Sequence, residues 1–133
     1  MLFLDTSALV KRYVAEDGTD LVVTRMAEDT EWVVSAVARS EAEISLCRLG
    51  FAREEGSEPW ARLRDDWARC LVVPVDPACL ERAIEIGCKL DVRTLDAVHL
   101  AAADRLPRPL VVLTFDRRQA DAARSMELVV EGA

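Results

Sequence analysis

Four acidic residues, Asp5, Glu41, Asp96 and Asp116, have types and settings in this 133-residue chain that could do chemistry. Asp5 follows Met-Leu-Phe-Leu, Asp116 follows Leu110-Val-Val-Leu-Thr-Phe115, and Asp96 stands inside the apolar run Thr94-Leu-Asp-Ala-Val-His-Leu-Ala-Ala-Ala103. Strand ends and buried helix faces can bring such residues together, and a converged set of carboxylates is a site for a divalent cation acting on phosphates. Without a cation, two unit charges ~4 Å apart repel by roughly 4 kcal/mol at an effective dielectric of about 20. An all-oxygen donor set favours Mg²⁺, or Mn²⁺ in its place, over zinc, which would recruit His or Cys. A pair of such ions could activate water and stabilise the leaving oxygen of a phosphodiester, and the acids are compatible with one ion or two.

Each acid also has an ordinary structural use. Asp5 before Thr6-Ser7-Ala8 and Asp116 before Arg117-Arg118 can each be the N-cap of a helix; Thr6, Ser7 and Thr114 can be caps or can orient water and carboxylate oxygens. On a wheel of ~100° per residue, Glu41 falls between Val37 and Ile44 on one side and Ala38, Ala42 and Leu49 on the other, so it faces inward. It then needs a partner, either a metal or an internal ion pair with Arg48. Glu43 lies on the far, solvated side with Arg39. Asp96 is the sharpest signal, because its helix is apolar almost all round; the alternative use is a first-turn acid favoured by the helix dipole, with Thr94 as cap. His99, one turn on, reads as a satisfied core histidine. Asp20, Glu28, Asp29, Glu31, Glu54, Glu55, Asp65 and Asp66 read as solvated charges, and Asp91 and Asp121 as outer neighbours of the four acids.

Short apolar runs alternate with longer helical patterns, the signature of a parallel sheet flanked by helices. Strands are predicted at Leu2 to Leu4, Trp32 to Ser35, Leu71 to Val75, Leu110 to Thr114 and Glu127 to Val130. Helices are predicted at Thr6 to Val14, Thr19 to Glu28, Val37 to Glu54, Glu58 to Arg69, Pro77 to Leu90, Leu95 to Arg105 and Arg117 to Ser125. Asp76-Pro77 offers an N-cap followed by proline at the first helical position. If the sheet is parallel, the strands ending at Leu4 and Thr114 deliver Asp5 and Asp116 to one carboxyl edge, where open α/β sheets place ligands.

With 51% hydrophobic residues the chain can bury one substantial core, and a single domain over residues 1–133 is expected. No apolar stretch is long enough to span a bilayer, and Met-Leu-Phe-Leu meets Asp5 without a basic lead-in, so a cytoplasmic protein with no membrane association is expected. Cys47, Cys70, Cys79 and Cys88 lack zinc-site spacing and read as buried free thiols. A net charge of −7 argues against coating nucleic acid through a broad basic surface, yet leaves room for an acidic centre screened by metal. Of the 17 basic residues all but Lys11 and Lys89 are Arg, suited to bidentate phosphate contacts; Arg12, Arg48, Arg93, Arg117 and Arg118 are the candidates. Trp60 and Trp67, seven apart, read as a core or interface face rather than a base-stacking platform.

Leu-Phe-Leu-Asp5-Thr-Ser-Ala-Leu, Ser35-Ala-Val-Ala-Arg-Ser-Glu41, Arg93-Thr-Leu-Asp96-Ala-Val-His-Leu-Ala-Ala-Ala and Leu113-Thr-Phe-Asp116-Arg-Arg together resemble the PIN-domain nucleases, and in order and spacing the VapC toxins of bacterial type II toxin–antitoxin systems. The resemblance implies a three-layer α/β/α fold with a central, mostly parallel five-stranded sheet. It implies an acidic pocket of Asp5, Glu41, Asp96 and Asp116 that binds Mg²⁺ or Mn²⁺ and cleaves RNA; by residue type and position, Thr6, Arg48, Arg93, Thr114 and Arg117 are the candidates for binding that substrate. It also implies a homodimer and a cognate VapB-like antitoxin. A catalytically silent PIN-like binding module is the competing reading. Phosphate-handling folds with a strand-end aspartate fit less well: the haloacid dehalogenase type wants a second aspartate where this chain has Ser7, and the response-regulator type wants a late-strand lysine that neither Lys11 nor Lys89 supplies.

Overall fold

Residues 1–54 and 56–133 are described by the computed structural model; the predicted solvated charge at Glu55 lies outside them. The elements run β1 (Leu2–Leu4), α1 (Thr6–Lys11), α2 (Thr19–Glu28), β2 (Trp32–Ser35), α3 (Val37–Arg48), α4 (Glu58–Trp67), β3 (Leu71–Val73), α5 (Pro77–Lys89), α6 (Thr94–Asp104), β4 (Val111–Thr114), α7 (Arg117–Ser125) and β5 (Val129–Gly132). All strand pairs are parallel, in the order β3-β2-β1-β4-β5. The expected three-layer α/β/α sandwich is the observed one.

Alternation along the strands feeds two cores. Leu2 and Leu4 of β1, Val34 and Leu113 face one side and pack with Ala8, Leu9, Val22, Met26, Ala42, Leu46 and Leu63 from α1 to α4. Phe3, Val33 and Val112 face the other and pack with Ile86, Val98, Leu100, Ala102 and Ala123 from α5 to α7. β1, buried throughout, lies at the centre. The chain leaves it toward β2 and β3 on one side and reaches β4 and β5 on the other, so the order reverses between β1 and β4. In open parallel sheets the crevice beyond the carboxyl ends at that point is the ligand site, and Asp5 and Asp116 stand there.

Several helix ends differ from expectation for local reasons. α3 stops at Arg48 rather than running to Glu54, because Gly50 takes a left-handed conformation (φ +92°). Phe51 N–H then donates to Leu46 O and Gly50 N–H to Cys47 O, both at 3.0 Å, a Schellman closure. α6 begins one residue early with Arg93, not Thr94, at its N-cap. Asp76 caps α5 as expected, accepting from Cys79 N–H at 2.9 Å. All four cysteines are free, but only Cys79 is buried; Cys47 and Cys88 are exposed. Asp66, expected in solvent, is buried and accepts from Arg12 Nε at 3.2 Å and Tyr13 Oη at 3.0 Å, tying α4 to the end of α1. Glu43 is likewise held rather than solvated: Trp60 Nε1 donates to it at 2.8 Å, pinning α4 on α3.

Candidate active site

A cleft of about 430 Å³ at the carboxyl edge is lined by all four acids together with Thr6, Ser7, Lys11, Arg93, His99, Phe115 and Gln119. Asp5 forms its floor. As N-cap of α1 it accepts from Ala8 N–H at 2.9 Å and Ser7 Oγ at 2.7 Å on Oδ1, while Thr114 Oγ donates to Oδ2 at 2.7 Å. Its structural and functional uses thus coincide: the cap fixes the carboxylate at the strand end. Burial pushes the Asp5 carboxyl above the usual range, in spite of these hydrogen bonds.

Glu41 reaches the cleft from the inward face of α3. Its Oε1 accepts from Thr6 Oγ at 2.7 Å and lies 2.5 Å from His99 Nε2, close enough for the two to share a hydrogen bond. Partial burial works against the charge, but the hydrogen bonds from His99 and Thr6 outweigh it and hold the Glu41 carboxyl below its ordinary value. Asp96, in the first turn of α6, and Asp116, N-cap of α7 through Gln119 N–H at 3.0 Å, are bridged by one guanidinium. Arg93 Nε donates to Asp96 Oδ2 at 3.2 Å and Nη2 to Asp116 Oδ2 at 3.4 Å.

The donor set fits a hard divalent cation: it is all carboxylate oxygen on the cleft wall, and a cationic group already sits between two of the acids. Glu41 Oε2 and Asp96 Oδ1 accept no hydrogen bond among the described residues. As placed, no three acidic, His or Cys side chains among the described residues form a ready cage.

Matched against known families, residues 2–125 fit the PIN domain. The chain belongs to the PIN-domain family. It is 35% identical over 131 residues to ribonuclease VapC46 of Mycobacterium tuberculosis, covering 97% of this chain and 95% of that one. It is 30% identical over 132 residues to ribonuclease VapC47 of the same species, covering 97% and 94%. Among solved structures its fold is shared with a toxin–antitoxin complex from Klebsiella pneumoniae (TM-score 0.69, 14% identity, 90% and 89% covered). It is shared also with a DNA-bound VapBC from Salmonella typhimurium (TM-score 0.66, 18% identity, 98% and 96% covered).

In this PIN domain the sequence candidates separate by place. Asp5, Glu41, Asp96, Asp116, Thr6 and Arg93 line one cleft. Arg117 and Arg118 line an adjoining one with Arg93 and Asp116. Arg48 and Arg12 stand apart: Arg48 ends α3 two turns beyond Glu41, exposed and on another surface, and Arg12 is spent on Asp66. The internal Glu41–Arg48 pair is therefore absent, replaced by Glu41–His99. Thr114 is fully buried beneath Asp5, so it supports the carboxylate and is shielded from substrate. Asp91 and Asp121 line neither of these two clefts; they border a third hollow that shares Arg118 with the adjoining one. His99 is buried, as expected of a core histidine, and it also lines the cleft, which the sequence reading did not anticipate; its buried Nδ1 has no partner among the described residues. The missed signal was its place three residues after Asp96, which puts both on one helix face.

Proposed function

We infer that this chain is a metal-dependent endoribonuclease and the toxin of a VapBC-type pair, folded as one domain over residues 1–133. The carrying observation is the convergence of Asp5, Glu41, Asp96 and Asp116 on one cleft at the reversal point of a parallel sheet. The names of the relatives support RNA as substrate, and the assemblies of the structural neighbours support a VapB-like antitoxin partner. Mg²⁺, with Mn²⁺ able to substitute, is the cofactor this oxygen set favours. The chain acts in the cytoplasm as a homodimer; no helix among the described residues is long and apolar enough to cross a membrane.

Asp5, Glu41, Asp96 and Asp116 would hold the ion, which when bound lowers the pKa of water and offsets charge developing on the phosphodiester oxygens. The chain's own part is placement. Ser7, Ala8 N–H and Thr114 fix Asp5, and Thr6 and His99 fix Glu41 through Oε1, leaving Oε2 to orient the attacking water. The hydrogen bonds from His99 and Thr6 offset the partial burial that would otherwise raise the Glu41 carboxyl. Lys11 and Arg93 on the cleft wall offer cations to the substrate's phosphates.

The test is cleavage of a total RNA pool by purified protein with Mg²⁺ or Mn²⁺, beside EDTA and Asp96→Asn controls. Discrete fragments that vanish in both controls are expected. Equal activity in Asp96→Asn would place the cleavage elsewhere. No cleavage by protein that is free of antitoxin and binds Mn²⁺ would favour the silent binding module.

A further inference from the structure

Arg93 spans two of the four acids, through Asp96 Oδ2 at 3.2 Å and Asp116 Oδ2 at 3.4 Å, yet its side chain remains 73% exposed. It is also one wall of the adjoining cleft, whose other walls are Asp116, Arg117 and Arg118. Arg117 and Arg118 are exposed and make no ion pair among the described residues. The guanidinium therefore stands on the border between an acidic cleft and a basic one. A divalent ion recruiting Asp96 and Asp116 would compete for the oxygens Arg93 uses, and its double charge would repel the guanidinium at that distance. Exposed ion pairs of this kind are weak enough to exchange.

We propose that Arg93 is an exchangeable counter-ion. It bridges Asp96 and Asp116; a cation taken up by those carboxylates would displace it into the basic cleft, where it joins Arg117 and Arg118 on an RNA phosphate. The role rests on the metal-dependent ribonuclease reading above. It makes the acids tolerable before loading and couples loading to substrate capture.

The role requires one substitution to move two affinities in opposite directions. Mn²⁺ binding is read by electron paramagnetic resonance without RNA. RNA binding is read by anisotropy of a labelled single-stranded 12-mer in Ca²⁺ over a salt series, with the RNA checked intact afterwards. Arg93→Ala is expected to tighten Mn²⁺ binding about three- to tenfold. The same variant is expected to weaken RNA binding several-fold and lower its salt slope by about 1. Arg118→Ala should weaken RNA binding alone. Unchanged or weaker Mn²⁺ binding in Arg93→Ala would overturn the exchange, as would tighter Mn²⁺ binding with RNA affinity intact, the behaviour of a static neighbour. Asp96→Asn separates the two levels: if it binds Mn²⁺ as the wild type does, the ion lies elsewhere and the site reading falls too. If it loses Mn²⁺ while Arg93→Ala is unaltered, only the exchange fails.

Discussion

Glu41 of α3 and His99 of α6 meet at 2.5 Å between Oε1 and Nε2, across 58 residues of sequence. The contact crosses the carboxyl edge of the sheet, with Thr6 of α1 bonded to the same oxygen at 2.7 Å. Three elements thus converge on one carboxylate. His99 is 2% exposed, so its ring can swing little, and Glu41 inherits that rigidity.

With Glu41 holding the ion as proposed, His99 would act as a positioning residue. His99→Ala should lower kcat for RNA cleavage about 10- to 100-fold with little change in KM, the usual cost of losing the partner of a metal-site ligand. His99→Gln, whose amide can still donate to Glu41, should restore part of the loss. Equal loss in both variants with an unaltered thermal midpoint would mean that the imidazole acts otherwise than by holding Glu41.

Asp66 joins α4 to α1 away from the cleft. Asp66→Ala strands a buried Tyr13 hydroxyl and the Arg12 guanidinium, and should destabilise the fold by about 2–4 kcal/mol in urea. Tyr13→Phe, which removes one hydrogen bond and strands nothing charged, should cost about 1 kcal/mol. A double-mutant cycle showing the two effects fully additive would dissolve the network.

Gly18 approaches the cleft rim from α2. Its φ of +93° disfavours any side chain, and an added Cβ would lie 2.6 Å from Phe115 Cε1. The Phe115 ring in turn carries Lys11 Nζ 4.8 Å from its centroid. Gly18→Ala should destabilise by about 1–3 kcal/mol and raise KM through the displaced rim. A variant of wild-type stability would show that the ring yields freely.

These contacts mark where sequence reading succeeds and where it stops. β1 and β4 were legible because a largely buried parallel strand is a short apolar run, and each is followed within two residues by an acid whose capping role is local. Glu41 was legible by its helix face. Its partner was not, because α3 and α6 meet only after the sheet forms, and no periodicity records a contact over 58 residues. Asp66 failed for the same reason, its partners lying 53 and 54 residues away. The early stop of α3 was local and readable: Leu49-Gly50 is a helix-end signal that the continuing polar pattern obscured.

Asp5 sets stability against function. Burial raises its folded-state pKa above the ordinary 3.8, so between 3.8 and that raised value the folded protein binds more protons than the unfolded chain. Metal-free stability therefore falls as pH rises through this window, and above it the full penalty of the buried charge remains. Asp5→Asn removes the charge. Its amide can donate to Thr114 Oγ, whose own proton can turn to Gln119 Oε1, now 3.4 Å away. Metal-free Asp5→Asn should then exceed the wild type at pH 7.5 by on the order of 1 kcal/mol, a few degrees in Tm, with the gain shrinking toward pH 4. Divalent metal should invert the ranking. At a hundredfold excess of ion over its dissociation constant the wild type gains about 2.7 kcal/mol by linkage, while the variant gains little. Thermal melts of both proteins with and without Mn²⁺ decide it. If Asp5→Asn is the less stable protein even without metal, the buried charge is better accommodated than its surroundings imply.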